Sequence, residues 1–153
     1  RIIPDCIKAW ERKEEVKIRN PNSTRPWQHV LEPLSGYLTL AQALNDKKIN
    51  SGEAYNFGPL AEQNRSVKEL VLKLNQYFPN TKFKIDSEPR TGHKESSLLK
   101  LNCDKSFADL GWLPKLDFDK TTELTAKWYS SFIEKNIDMK EFTINQILEY
   151  INL

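Results

Sequence analysis

Glycine, cysteine and histidine are scarce in this 153-residue chain, which has five, two and two of them. The glycines stand at 36, 52, 58, 92 and 111, and no G-x-x-G-x-x-G run occurs. The Gly-rich strand-to-helix turn that cradles dinucleotide phosphates is therefore missing. Cys6 and Cys103 are too few for a disulfide scaffold and lack metal-ligand spacing. They read as small, buried, reduced side chains, and no metal is expected. No apolar run approaches the ~18 residues of a membrane span, and no charged-then-apolar leader opens the chain. An excess of one charge is also lacking: 23 basic residues face 21 acidic ones, for a net charge of +2. Charge alone thus implies no polyanion-binding surface. Together these absences predict a cytoplasmic globular protein with no nucleic acid or membrane partner.

Hydrophobic residues make up 39% of the chain and charged residues 29%, enough for one ordinary domain with its own core. Pro4 suits the first turn of a helix in "PDCIKAWERKEE", with Ile7 and Trp10 on one face. "EVKIRN" alternates as a short strand. A helix from about Val30 to Leu44 is apolar at Val30, Leu31, Leu34, Leu38 and Ala41. "AYNFG" reads as a strand closed by Gly58 and Pro59. Ser66 and Glu69 form a capping box before a helix whose stripe is Val67, Leu70, Val71, Leu74 and Phe78. "TKFKIDSE" is a strand, "PRTGHKES" a loop and "SLLKLNC" an extended stretch. A helical turn then ends at Gly111. "TTELTAKWYSSFIEKN" is a helix with Leu124, Lys127, Trp128 and Phe132 near one face, and "TINQILEYINL" is a last amphipathic helix. Trp10, Trp112 and Trp128 read as core, and Trp27 as packing.

The stretch "IRNPNSTRPWQHV", Ile18 to Val30, concentrates two arginines, two asparagines and two prolines. Arg25 precedes Pro26, which biases it to extended geometry and a stiff presentation. Its planar fork of donors matches a phosphate or diphosphate edge. The alternative from the residues alone is an ordinary ion pair with a nearby carboxylate.

Arg19-Asn20-Pro21 and the block Arg25-Pro26-Trp27-Gln28-His29-Val30-Leu31-Glu32-Pro33-Leu34-Ser35-Gly36-Tyr37 resemble the CDP-glucose 4,6-dehydratase family of extended short-chain dehydrogenases/reductases. The resemblance continues through Arg1–Glu11, Tyr55–Pro59, Leu99–Pro114 and Lys127–Tyr129. It implies an α/β fold of short strands with amphipathic helices: the C-terminal substrate-binding part of such an enzyme, without the N-terminal Rossmann core. The opening apolar run without Met fits that expectation of a fragment. So does the lack of a Tyr-x-x-x-Lys pair: none of Tyr37, Tyr55, Tyr77, Tyr129 and Tyr150 has Lys four residues on. Residues 1–153 would form the sugar-nucleotide-binding region, with 30–58 lending a helix and a strand to the missing domain.

The resemblance further implies an NAD-dependent lyase as the whole enzyme, with NAD held by the parent and none by this region. The substrate would be CDP-glucose. The fragment alone would be inactive and contain no catalytic residue. Arg25 would meet the diphosphate, Val16, Lys17 and Ile18 the base, and Arg1 and Ile2 the nucleotide. Asn56 would also face the nucleotide, or else bond its own turn. Arg90 and His93 would belong to a late loop over the phosphates, beside Glu95, although His93 also reads as a plain surface residue. His29 reads as a structural hydrogen-bonding residue first and a substrate contact second. The strand at 54–58 should show an unpaired edge. The helix before it should show uncovered apolar residues, so that the chain forms a homo-oligomer.

Overall fold

The computed structural model describes residues 2–79, 81–85 and 99–153. Arg1, Arg90, His93 and Glu95 lie outside the described residues. Helix α1, Ile2–Glu11, turns Cys6, Ile7 and Trp10 inward, the spacing of one helical face. Strand β1, Val16–Ile18, buries Val16 and Ile18 and exposes Lys17, as alternation requires. The two-residue strand β2, Thr24–Arg25, follows, and then helix α2, Leu31–Asn45. A single 3₁₀ turn at Ala61–Gln63 leads into β3, Arg65–Ser66, and helix α3, Val67–Asn75. Strand β4, Phe83–Ile85, precedes α4, Asp104–Leu110, α5, Phe118–Glu134, and α6, Met139–Ile151.

Two small ladders organise the chain. β1 pairs in parallel with β4, Val16 opposite Phe83 and Ile18 opposite Ile85. β2 pairs antiparallel with β3, Thr24 opposite Ser66 and Arg25 opposite Arg65. The main core joins α1, β1, α3 and α5 through Cys6, Trp10, Ile18, Leu70, Val71, Leu74, Phe118 and Ala126. Full burial of each large aliphatic side chain there stabilises the fold by about 1.5–3 kcal/mol. Trp10 also donates its indole N–H to the Lys82 carbonyl at 3.2 Å, tying α1 to the approach of β4.

Local signals set the helix ends. The capping box forms as expected, with Ser66 accepting from the Glu69 amide and Glu69 accepting from the Ser66 amide. Asp117 accepts from the Lys120 amide at 2.7 Å and starts α5 at Phe118. That is three residues earlier than the apolar pattern indicated, because the cap and not the stripe fixes a helix start. Gly111 closes α4 at φ 65°, a left-handed conformation that glycine adopts without a Cβ penalty.

Two expectations are corrected. Residues 54–58 form no strand: the segment has no ladder partner among the described residues. Phe57 and Gly58 are nevertheless buried, and the Phe57 ring packs on α2 so closely that a Cβ at Gly36 would overlap it. The stretch 99–103, read as extended, has no ladder partner among the described residues. On α5, Lys127 and Phe132 are exposed, and the buried positions are Phe118, Thr121, Thr122, Leu124, Ala126 and Ser131. Small threonines and alanine let α3 and α6 approach α5 closely, which a search for large apolar residues does not detect.

Candidate functional site

The segment from Arg25 to Glu32 is pinned at nearly every residue. Arg25 lies in β2, in the extended geometry expected before Pro26. Its Nη1 donates to the Thr24 carbonyl at 2.8 Å. The Trp27 amide donates to the Arg25 carbonyl at 2.9 Å, and the Trp27 indole N–H to the Arg65 carbonyl at 2.8 Å. Trp27 is thus a half-buried brace between loop and β3, as its packing role requires. Gln28 Nε2 donates to the Phe57 carbonyl at 3.1 Å. His29 is buried, its Nδ1 accepts from the Leu31 amide at 3.3 Å, and its carbonyl accepts from the Glu32 amide at 3.0 Å. Burial lowers the His29 pKa below the ordinary value, so the ring stays neutral and structural.

Glu32, in the first turn of α2, is 1% exposed. Its Oε1 accepts from the Lys115 and Leu116 amides at 3.0 and 2.7 Å, and its Oε2 from the Tyr150 hydroxyl at 2.9 Å. Ser35 Oγ lies 2.9 Å from the same Tyr150 oxygen and accepts from the Trp112 indole at 2.9 Å. One carboxylate therefore joins α2, the 112–116 segment and α6. Burial first, and then the Glu32 carboxylate, push the Tyr150 phenol up to about 12, against the Ser35 hydrogen bond that pulls it down. Neither Glu32 nor Tyr150 stood out in the sequence. A glutamate in an apolar helix reads as solvent-facing, and only the fold brings three donors to it.

The other nominated residues are spread over this half of the molecule. Val16 and Ile18 place their side chains in the core at 6% and 1% exposure. What β1 offers a ligand is therefore the Lys17 side chain and its backbone. Ile2 packs against the main core. Asn56 is exposed and donates through Nδ2 to the Asn102 carbonyl at 3.1 Å, while its own carbonyl accepts from Ser106. A separate cleft of about 390 Å³ opens between α1, the 28–31 segment, α5 and α6, with Ile3, His29, Trp128 and Gln146 in its walls. Its described lining includes His29 but not Ile2, Val16, Lys17, Ile18, Arg25 or Asn56. Among the described residues no group of His, Cys, Asp and Glu could hold a metal, and no helix is long and apolar enough to cross a membrane.

A dinucleotide cradle needs a glycine-rich strand-to-helix turn. The strand-to-helix junction at β3–α3 runs through Arg65 and Ser66 and is closed by the Glu69 side chain, with no glycine to admit a pyrophosphate. This junction does not fit the pyrophosphate of NAD.

Comparison with solved structures bears on the fold. The chain superposes on UDP-glucose 4-epimerase from Thermotoga maritima, solved with UDP-glucose, with a TM-score of 0.67 and 20% identity over 87% of this chain and 40% of that one. It superposes on dTDP-glucose 4,6-dehydratase from Bacillus anthracis, solved with NAD, with a TM-score of 0.62 and 19% identity over 88% and 40%. The fold is that of part of the extended short-chain dehydrogenase/reductase dehydratases and epimerases. Within that class the sequence is 37% identical over 153 residues to CDP-glucose 4,6-dehydratase of Salmonella typhimurium. That match covers 99% of this chain, which spans 42% of the relative. The resemblance to CDP-glucose 4,6-dehydratases therefore holds along the whole chain. No protein-family model matches it.

Proposed function

We propose that this chain is the sugar-nucleotide-binding part of a CDP-glucose 4,6-dehydratase, a lyase that converts CDP-glucose to CDP-4-keto-6-deoxyglucose and water. The observation that carries the reading is the 37% identity to such an enzyme across all but 1% of the chain. The geometry supports it through Arg25, whose guanidinium is presented by a β-ladder and a braced loop instead of a mobile surface. A preorganised fork loses little conformational freedom on meeting a diphosphate. Lys17 and the β1 backbone would meet the nucleotide base, and Asn56 the nucleotide. Arg1, Arg90 and His93 keep the roles that the resemblance implies. The residues of this chain would bind and orient the substrate. The redox step belongs to NAD in the whole enzyme, which this region does not hold.

Calorimetric titration with CDP-glucose tests this reading. Arg25→Lys should weaken binding by about 1–3 kcal/mol, the range for losing a charge-assisted hydrogen bond, with little change in melting temperature. A collapsed melting temperature with unchanged affinity would make Arg25 a structural ion-pair residue. Equal binding of CDP-, UDP- and dTDP-glucose would favour another sugar-nucleotide dehydratase or epimerase.

A further inference from the structure

The register of the β2–β3 ladder sets a second arginine beside the first. Arg25 lies directly opposite Arg65. Directly opposed residues of an antiparallel pair share a face, with Cβ atoms roughly 4.5–5.5 Å apart, and like charges so placed repel. Arg65 is nonetheless held firmly. Its Nη1 donates to the Glu62 and Asn64 carbonyls at 2.7 and 3.2 Å. Its guanidinium carbon stands 5.7 Å from the Phe118 ring centroid, and Phe118 is itself fixed where its amide donates to Gln63 Oε1 at 3.0 Å.

The nearest carboxylate does not neutralise this arginine well. Glu69 Oε1 lies 3.9 Å from Arg65 Nε, beyond hydrogen-bond reach. The other oxygen of Glu69 is committed to the helix cap, accepting from the Ser66 amide at 2.8 Å and the Ser66 hydroxyl at 2.6 Å. The side chain of Arg65 is 36% exposed, so an incoming ligand can reach it. The fold therefore sets two arginine side chains on one face of a ladder only two residues long. A single phosphoryl group satisfies one fork, and two linked phosphoryl groups satisfy two.

We propose that Arg65 is a second anion-contacting residue, and that Arg25 and Arg65 together grip a diphosphate across the β2–β3 ladder. The proposal rests on the sugar-nucleotide reading above, because it takes the substrate diphosphate as its ligand. Its test titrates inorganic pyrophosphate and CDP-glucose separately into the chain and its variants. Arg65→Gln should weaken both by about tenfold or more, and Arg65→Lys, which keeps the charge and loses the fork, by less. The melting temperature should stay near that of the parent chain. If Arg65→Gln leaves both affinities within about twofold while Arg25→Lys weakens them, the proposal fails and the sugar-nucleotide reading stands. If Arg65→Gln unfolds the chain, Arg65→Lys decides: wild-type affinity for both ligands in that variant overturns the proposal. Pyrophosphate binding that needs both arginines, with no gain for CDP-glucose, supports the pair and overturns the sugar-nucleotide reading. A chain that binds neither ligand overturns both.

Discussion

The molecule is held together in two different ways on its two sides. Around α1, β1, α3 and α5 the contacts are apolar, and the buried residues are those that helical and strand periodicity mark: Ile7, Trp10, Val16, Ile18, Leu70, Val71 and Leu74. At α2 the pattern is inverted. The apolar positions face outward, with Val30 61%, Leu34 46% and Leu38 73% exposed, while Glu32, Gly36 and Ala43 are buried. The first region shows burial driving helix docking. The second shows a helix docked largely through Glu32, Ser35 and Gly36, with Leu34 and Leu38 of its apolar stripe exposed. Periodicity identifies which face of a helix is apolar, but only the rest of the fold determines what that face meets.

The sharpest test of this contrast is to remove the carboxylate. Glu32→Ala leaves the Lys115 and Leu116 amides without their acceptor, while the Tyr150 hydroxyl keeps Ser35 Oγ at 2.9 Å. Each unsatisfied donor costs about 1–3 kcal/mol, so with two amides unpaired urea unfolding should show a loss of about 2–6 kcal/mol. That rivals Leu70→Ala in the apolar core, expected at about 2–5 kcal/mol. A loss below about 1 kcal/mol for Glu32→Ala would show that the polar junction does not hold α2.

Alkaline titration separates the same two regions with a smaller signal. Burial, with Asp5 nearby, pushes the Cys6 thiol up to about 12 in the apolar core, and the Tyr150 phenol reaches about 12 at the polar junction. Both groups stay neutral in the folded chain, while in the unfolded chain they ionise near ~8.5 and ~10. Their stabilising contribution is therefore full below the unfolded values and declines as pH rises toward the folded ones. The slope is about 1.4 kcal/mol per pH unit for each group. Tyr150→Phe should flatten the decline between about pH 10 and 12, and Cys6→Ala the part that begins near ~8.5. A decline that neither substitution changes would remove both groups from the account.

The smallest effect on stability belongs to the exposed stripe. Leu34→Lys with Leu38→Lys should change unfolding free energy by no more than about 0.5 kcal/mol per site. If the stripe drives self-association, as a homo-oligomer would need, the same pair should lower the apparent mass in sedimentation at high concentration. A wild-type chain that stays monomeric there excludes self-association through this face.

Much of the architecture was legible in the residues because it depends on neighbours in sequence. The Ser66–Glu69 capping box, the left-handed Gly111, the extended Arg25 before Pro26 and the alternation of β1 all form as read. The similarity to CDP-glucose 4,6-dehydratase of Salmonella typhimurium was legible too, and it extends over 99% of the chain. The residues alone did not show that Phe57 would fill the space above Gly36 in place of a ladder, or that threonines and alanine would line the buried side of α5. They also gave no sign that Glu32 would accept from two separate segments, or that Arg65 would stand opposite Arg25. These features join residues from 21 (Gly36 and Phe57) to 118 (Glu32 and Tyr150) positions apart along the chain. Local propensity carries no record of such distances. A charged side chain in a sequence reads as solvated until the fold removes the water and supplies the donors, so the tertiary structure alone decides which charges are buried, paired or left facing a ligand.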